Sequence, residues 1–378
     1  MSEPTLSAFL QQMVARGASD LFLRPGSPPS FRIHGTIERS ALPAPDDAAM
    51  ERFLDEVMTP VARERFRTSP DLDISCTVAG VGRFRINLFL QQGRPGLVAR
   101  QIPPGEVQFE SLNLPEPIRG LADRNNGLIL VVGPTGCGKS TTLAALVHHI
   151  NATRADHIVT IEDPVEFVHS EIRSLIHQRQ VGYDTGSFAT ALRHVVRQSP
   201  DVILIGEMRD ADTVQTALAA ALTGHLILST LHTTNAVQSV DRMLNYFDPS
   251  ARGQAQADLA STLLGIVAMR LVPTADGKGR RPACEILLGS PTARRLVAEG
   301  EFVELYDLMK RSRDAGMCTL NQALVDLCGK GEVDPATAVR YAPNPDEFRL
   351  NMEGMFTGIA SIDLRTEPAE DVDPWTKS

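Results

Sequence analysis

From Leu6 to Val14 apolar residues recur at helical spacing, and Arg16-Gly17 ends the pattern ahead of a short extended run, Asp20 to Leu23. A turn is expected at Arg24 to Pro29. Two alternating segments, Ser30 to Ile37 and Gly82 to Phe89, read as strands around a helix near Asp47 to Met58, which predicts a small α+β domain. Gln101 to Gly105 interrupts the periodicity with Pro103-Pro104, because paired prolines stiffen the chain and remove two amide donors. The first domain boundary falls there.

Beyond it the pattern changes. Near-continuous apolar runs at Gly127 to Val132, His157 to Ile161, Val202 to Ile205 and Leu226 to Ser229 alternate with helical patterns, as a parallel sheet buried on both faces requires. After about Ser290 the periodicity is helical, with Leu296-Val297, Leu305, Leu308-Met309, Leu320, Ala323-Leu324 and Leu327 supplying apolar faces. The expected division is 1–103, an α+β domain; 104–290, an α/β core; 291–355, a helical subdomain; and 356–378, an acidic tail too polar to bury and expected to be disordered. No internal repeat is visible.

Composition narrows the function. With 43% hydrophobic and 22% charged residues the 378-residue chain is of the soluble globular kind. The net charge of −9 argues against nucleic acid as the main partner, since phosphate neutralisation needs a strong positive patch, and leaves room only for a local basic groove. Cys76, Cys137, Cys284, Cys318 and Cys328 are scattered, with no CxxC spacing, so neither a disulfide framework nor a zinc ribbon is expected. No basic-then-apolar leader opens the sequence, and no stretch approaches the roughly 18 apolar residues of a membrane span. A reducing cytoplasm is the expected location.

One motif carries the chemistry. Gly133-Pro134-Thr135-Gly136-Cys137-Gly138-Lys139-Ser140-Thr141 matches GxxxxGK[ST] and stands between the strand LILVV and the helix TTLAALVHHI. In that context glycines turn backbone amides toward phosphates and the helix N-terminus adds its positive end. Lys139 reaches the β and γ phosphates and Ser140 ligates Mg²⁺, so Mg-ATP is the expected ligand. Asp201-Val-Ile-Leu-Ile-Gly-Glu207 is an apolar strand ending in an acid, which sets Glu207 near the metal at the carboxyl edge of the sheet. Gly206 precedes that acid, so no tandem carboxylate stands there to act as base.

The acids Glu162, Asp163 and Glu166 follow another core strand, and Pro164 turns them toward the same edge; Glu166 is the candidate base. Thr223-Gly224-His225 and Ser229-Thr230-Leu-His232 bracket a further strand, with Thr230 and His232 as γ-phosphate sensors or a structural pair as the bland alternative. Arg83 and Arg85 share a strand face at period two, and Arg193 and Arg197 share a helix face at spacing four. One or two of them would neutralise charge during phosphoryl transfer; singly, each reads as a surface ion-pair residue.

Taken together, GASDLFL with PGSPPSFRIHG, GRFRIN, GPTGCGKST, TIEDPVEF, DVILIGEMRD and TGHLILSTLHTT resemble the type IV pilus retraction ATPases of the PilT/PilU type, within the secretion ATPase superfamily, over residues 1 to about 350. The resemblance implies a PAS-like N-terminal domain, a RecA-like ATPase domain and a homohexamer whose neighbouring subunits complete each site. It implies Lys139 and Ser140 on phosphate and Mg²⁺, Glu166 as base, Glu207 as the Walker B acid, His225 and His232 in a His box, and Arg83 and Arg85 turned toward the nucleotide. The expected function is ATP-driven pilus retraction, with hinge motion at Pro103-Pro104 and indirect membrane association through an inner-membrane platform protein.

Asp307 to Ser312, Gly316-Met317 and Asn321 to Leu324 look more like PilU than PilT, and Thr292 to Glu299 departs from the helix associated with PilT. A rival reading is therefore an accessory subunit supporting a paralogous pilus ATPase. The tetracysteine module of type II secretion ATPases is absent from the sequence. A nucleic-acid translocase is disfavoured by one Trp, four Tyr and the negative charge.

Overall fold

Two sheets organise the chain in the computed structural model, which describes residues 5–33, 35–102 and 106–354. The first holds β1 (Asp20–Arg24), β2 (Ser27–Ile33), β3 (Thr36–Arg39), β4 (Asp71–Val78), β5 (Gly82–Gln91) and β6 (Arg94–Ile102), in the order β3-β2-β1-β6-β5-β4 with every pair antiparallel. Helices Leu6–Ala15, Asp47–Val57 and Pro60–Thr68 accompany it. Phe84, Ile86 and Leu88 of β5 pack in one core with Leu6, Met13, Met50 and Phe53, so Arg83 and Arg85 belong to the opposite face of the strand by its two-residue period.

The strand expected over Ser30 to Ile37 is two strands, because Gly35 takes φ +85° and the chain reverses there into the β2–β3 hairpin. Helix Pro60–Thr68 escapes a periodicity search because it buries only Ala62 and Phe66, too thin a stripe to register.

In the second sheet the order is β13-β12-β7-β11-β10-β8-β9, from β7 (Gly127–Val132), β8 (His157–Glu162), β9 (Leu175–Gln180), β10 (Val202–Ile205), β11 (Leu226–Leu231), β12 (Leu263–Pro273) and β13 (Arg280–Leu288). All neighbours are parallel except β12 and β13. The four runs expected as core strands form its centre. Alternate residues of β7 enter different cores, Leu128, Leu130 and Val132 on one face, Ile129 and Val131 on the other. Each such buried aliphatic side chain contributes roughly 1.5–3 kcal/mol, which is why the run is unbroken.

Helices Pro291–Glu299, Phe302–Arg311, Leu320–Gly329, Pro335–Ala338 and Pro345–Met352 follow. Leu320, Leu324 and Phe348 pack with Val272 and Ala283 from β12 and β13. Pro103-Pro104 and residues 356–378, on which the hinge and tail expectations rest, lie outside the described residues. Among those described, no helix is long and apolar enough to cross a membrane.

Candidate active site

Because β7, β8, β10 and β11 are parallel, their carboxyl ends share one edge, and the loops leaving them meet around a cleft of about 640 Å³. Thr135, Gly136, Gly138, Lys139, Ser140 and Thr141 line it, with Glu162, Asp163, Glu166, Glu207, Arg209, Thr230 and His232. Arg85 and Arg100 close it from the N-terminal sheet.

The phosphate-type loop is shaped by its glycines. A Cβ on Gly133 would stand 2.6 Å from the Met269 carbonyl oxygen and from Cys137 Sγ, so no side chain fits. Gly138, at φ +98°, starts helix Lys139–Thr153 without a side-chain cap. The first-turn amides of that helix are left for an anion. Cys137 is buried, and that burial pushes its thiol pKa up. Lys139 is only 9% exposed; its Nζ donates to the carbonyls of Gly133 (2.8 Å) and Pro134 (3.0 Å). Burial lowers its pKa, opposed by the charges of Cys137, Glu166 and Glu207.

The three acids after β8 are sorted by their partners. Glu162 accepts from Thr160 Oγ1 (2.7 Å), Gln178 Nε2 (3.1 Å) and the Glu166 amide (3.3 Å), and its burial raises its pKa. It therefore anchors the loop that carries Glu166. Asp163 is exposed, its pKa also raised by burial of the carboxyl. The Glu166 carboxylate accepts no hydrogen bond among the described residues and faces both the cleft and an adjoining cavity of about 480 Å³.

Glu207 follows Gly206, where a Cβ would lie 3.3 Å from the Ile161 carbonyl; a second acid has no easy room there. The Glu207 side chain is 12% exposed and pairs through Oε1 with Arg209, while Oε2 lies 3.4 Å from His232 Nε2. That buried Oε2 takes no hydrogen bond among the described residues. Burial, then the charge of Lys139, lowers the His232 pKa, which keeps its imidazole neutral near pH 7. Thr230 Oγ1 donates to the Gly206 carbonyl (2.6 Å), tying the ends of β10 and β11 together.

His225 stands at the other end of β11, roughly 20 Å away along the strand. Its Nδ1 donates to the Ala220 carbonyl (2.9 Å) at the end of helix Ala211–Leu222. The two arginines of β5 also separate. Arg85 lines the cleft, its Nε 3.4 Å from Asp73 Oδ1, whereas Arg83 Nη2 donates to Ser75 Oγ (3.0 Å), whose hydroxyl donates to Gln180 Oε1 (2.9 Å) in the ATPase sheet. Arg193 is on the surface with Asp212, and Arg197 lies beyond its helix, which ends at Val195.

Sequence reasoning missed Arg100 and Arg209. Arg100 faces Arg85 directly across β5 and β6, and its guanidinium is held 2.8 Å from Asp20 Oδ1. The signal for it was pairing register, which spacing along one strand does not carry.

The profile of the family described as Type II/IV secretion system protein matches residues 1–319. The type IV pilus ATPase PilU of Pseudomonas aeruginosa is 42% identical over 342 residues, spanning 90% of this chain and 89% of that protein. The type IV pilus retraction ATPase PilT of the same organism is 39% identical over 333 residues, 88% of this chain and 96% of the relative. A crystal structure of the pilus retraction motor PilT with bound ADP superposes with a TM-score of 0.85 at 39% identity, covering 91% of this chain and 99% of that one. A cleft built around a phosphate-binding loop thus stands in a chain whose likeness to these proteins runs almost end to end, and the chain belongs to the type II/IV secretion system protein family, as one of its nucleotide-binding ATPases.

Proposed function

We propose that this chain is a subunit of a homohexameric, ATP-hydrolysing motor that drives type IV pilus retraction. The observation carrying the reading is the convergence of Lys139, Ser140, Glu166, Glu207 and His232 with Arg85 and Arg100 on one cleft. In it, the loop amides and Lys139 hold the β and γ phosphates, and Glu166 takes the proton of the attacking water, for which its unbonded carboxylate is suited. Arg85 and Arg100 neutralise charge that develops on the phosphoryl group. His232, neutral and beside Glu207, reads the γ-phosphate.

A divalent cation fits the residues present. Ser140 Oγ and the buried, unbonded Glu207 Oε2 would hold it, a donor set of the kind Mg²⁺ takes, with one or two protein oxygens alongside phosphates. Such an ion, when bound, would supply neutralisation of phosphate charge.

The division at 103, 290 and 355 goes with this reading, the N-terminal domain moving against the ATPase domain as nucleotide turns over. The work would act on an inner-membrane platform protein, with the motor itself cytoplasmic and held at the membrane through that partner.

Steady-state turnover of the wild type and Glu166→Gln, with native mass alongside, tests it. A hydrolysing wild-type hexamer and a variant that binds ATP but turns over about 10²–10⁴-fold more slowly support the motor. A wild type that binds without hydrolysis moves the second reading ahead. That reading, an accessory ring beside a paralogous ATPase, is favoured by the PilU-like stretch Asp307 to Ser312 and by the 42% identity to PilU against 39% to PilT. Restoration of retraction by this chain alone would exclude it.

A further inference from the structure

In the strand Ala283-Cys284-Glu285-Ile286-Leu287 every residue is buried, and one is an acid. Glu285 is 2% exposed. Burying a carboxylate costs several kcal/mol unless hydrogen bonds compensate. Its two oxygens are divided: Oε1 accepts from the amide of Ala236 (2.7 Å) and Oε2 from the amide of Leu320 (3.2 Å).

Both donors are first residues of helices, Ala236–Leu244 and Leu320–Gly329, each already capped in the usual way. Asn235 Oδ1 accepts from the Gln238 amide (2.8 Å), and Thr319 and Gln322 form a capping box. Side-chain caps of this kind serve the amides at the third position and leave the first-position amide over. Glu285 takes that amide from both helices and sits at the positive end of both dipoles. Helix Ala236–Leu244 begins four residues after His232, which stands 3.4 Å from Glu207 in the cleft. Helix Leu320–Gly329 belongs to the C-terminal layer, packed on helix Pro345–Met352 and β13.

We propose that Glu285 is a positioning residue for ATP hydrolysis: by holding the first amide of helix Ala236–Leu244, with its other oxygen anchored on the start of helix Leu320–Gly329, it fixes the loop bearing His232. The inference rests on the proposed role of His232 in turnover. Its carboxylate accepts from the Ala236 and Leu320 amides, so its route to the cleft runs through helix Ala236–Leu244.

The test is kcat and KM for ATP in the full-length protein, well below its melting temperature, for Glu285→Gln, for Ala236→Pro and for Leu324→Ala. Glu285→Gln turns an amide N–H toward one of the two donors. Ala236→Pro deletes one donor while keeping the helix, because proline is accommodated at a first helical position and Asn235 already has extended backbone (φ −150°, ψ 169°). Leu324→Ala loosens the same layer without touching Glu285. Glu285→Gln and Ala236→Pro are expected to lower kcat about tenfold with KM within about twofold, while Leu324→Ala keeps kcat within about twofold despite a lower melting temperature. Unchanged kcat in either of the first two variants, or an equal loss in Leu324→Ala, overturns the proposal. Should Glu285→Gln fail to fold, Ala236→Pro decides alone. His232→Ala separates the two layers of inference: if it leaves kcat unchanged, the reading of His232 falls, whereas a loss there with normal Glu285→Gln overturns only the role of Glu285.

Discussion

The two walls of the cleft are built differently. On the ATPase side the chemical groups grow out of a doubly buried parallel sheet: Lys139 is 9% exposed, the Glu207 side chain 12%, and Thr230 is buried. On the N-terminal side the Arg85 and Arg100 side chains are 41% and 69% exposed, each held by one aspartate. Among the described residues, the side-chain hydrogen bonds joining the two walls include Ser75 to Gln180, with Arg83 behind it, and Arg65 to the Gly182 carbonyl. On the proposed reading, the wall that holds phosphate is fixed by the core of its sheet, whereas the arginines proposed to neutralise charge come from the N-terminal sheet through contacts worth little individually. A motor needs one of each.

Four measurements sharpen or break that contrast. Lys139→Ala should lower kcat/KM for ATP about 10³-fold, the loss of a fixed and largely buried cation, as read by a coupled assay. Arg100→Ala should cost about 10²-fold in kcat with nucleotide affinity little changed, and Arg100→Lys should recover only part, since the planar fork on Asp20 is not reproduced. A loss under twofold in Arg100→Ala would take Arg100 out of the chemistry and leave Arg85 as the N-terminal candidate.

The third measurement probes the buried wall through pH. His169 lines the cleft, and burial pushes its pKa down to about 4. Folded protein thus stays unprotonated where the unfolded chain, with an ordinary value near 6.5, binds a proton. Stability from this group is present above about pH 6.5 and is lost as pH falls toward 4. Between pH 7 and pH 5 the wild type should lose about 2 kcal/mol more than His169→Gln in urea unfolding, roughly a 30-fold change in the folding equilibrium. Equal losses would mean that the imidazole is solvated. The smallest effect belongs to the joint: Gln180→Ala should change kcat two- to threefold, roughly, with the melting temperature within about 2 °C. A tenfold change would make this contact part of the buried wall.

What could be read in the sequence follows the same division. The phosphate loop, β7, β10 and the acids after β8 were legible because adjacent residues make them, and an apolar run bounded by a glycine-rich turn has few alternative folds. Arg85 and Arg100 are 15 residues apart, and only the β5–β6 register brings them together. β9, β12 and β13 depend in the same way on distant pairing. Arg83 shares its strand face with Arg85, yet one finds the cleft and the other finds Ser75; period two gives the face and not the partner. His225 and His232 look alike in sequence and stand at opposite ends of one strand.

On β9, Gln178 and Gln180 share a face of the strand. Gln178 Nε2 donates to Glu162 Oε1 (3.1 Å) and to the Phe167 carbonyl (2.7 Å), and its Oε1 accepts from the His169 amide (3.0 Å), while Gln180 accepts from Ser75. The same short strand thus grips the loop of the proposed base and touches the N-terminal body. A mechanical load on that body has a path through Gln180, the strand itself and Gln178 to the loop of Glu166, so resisting force and the hydrolysis rate would be read on the same spring.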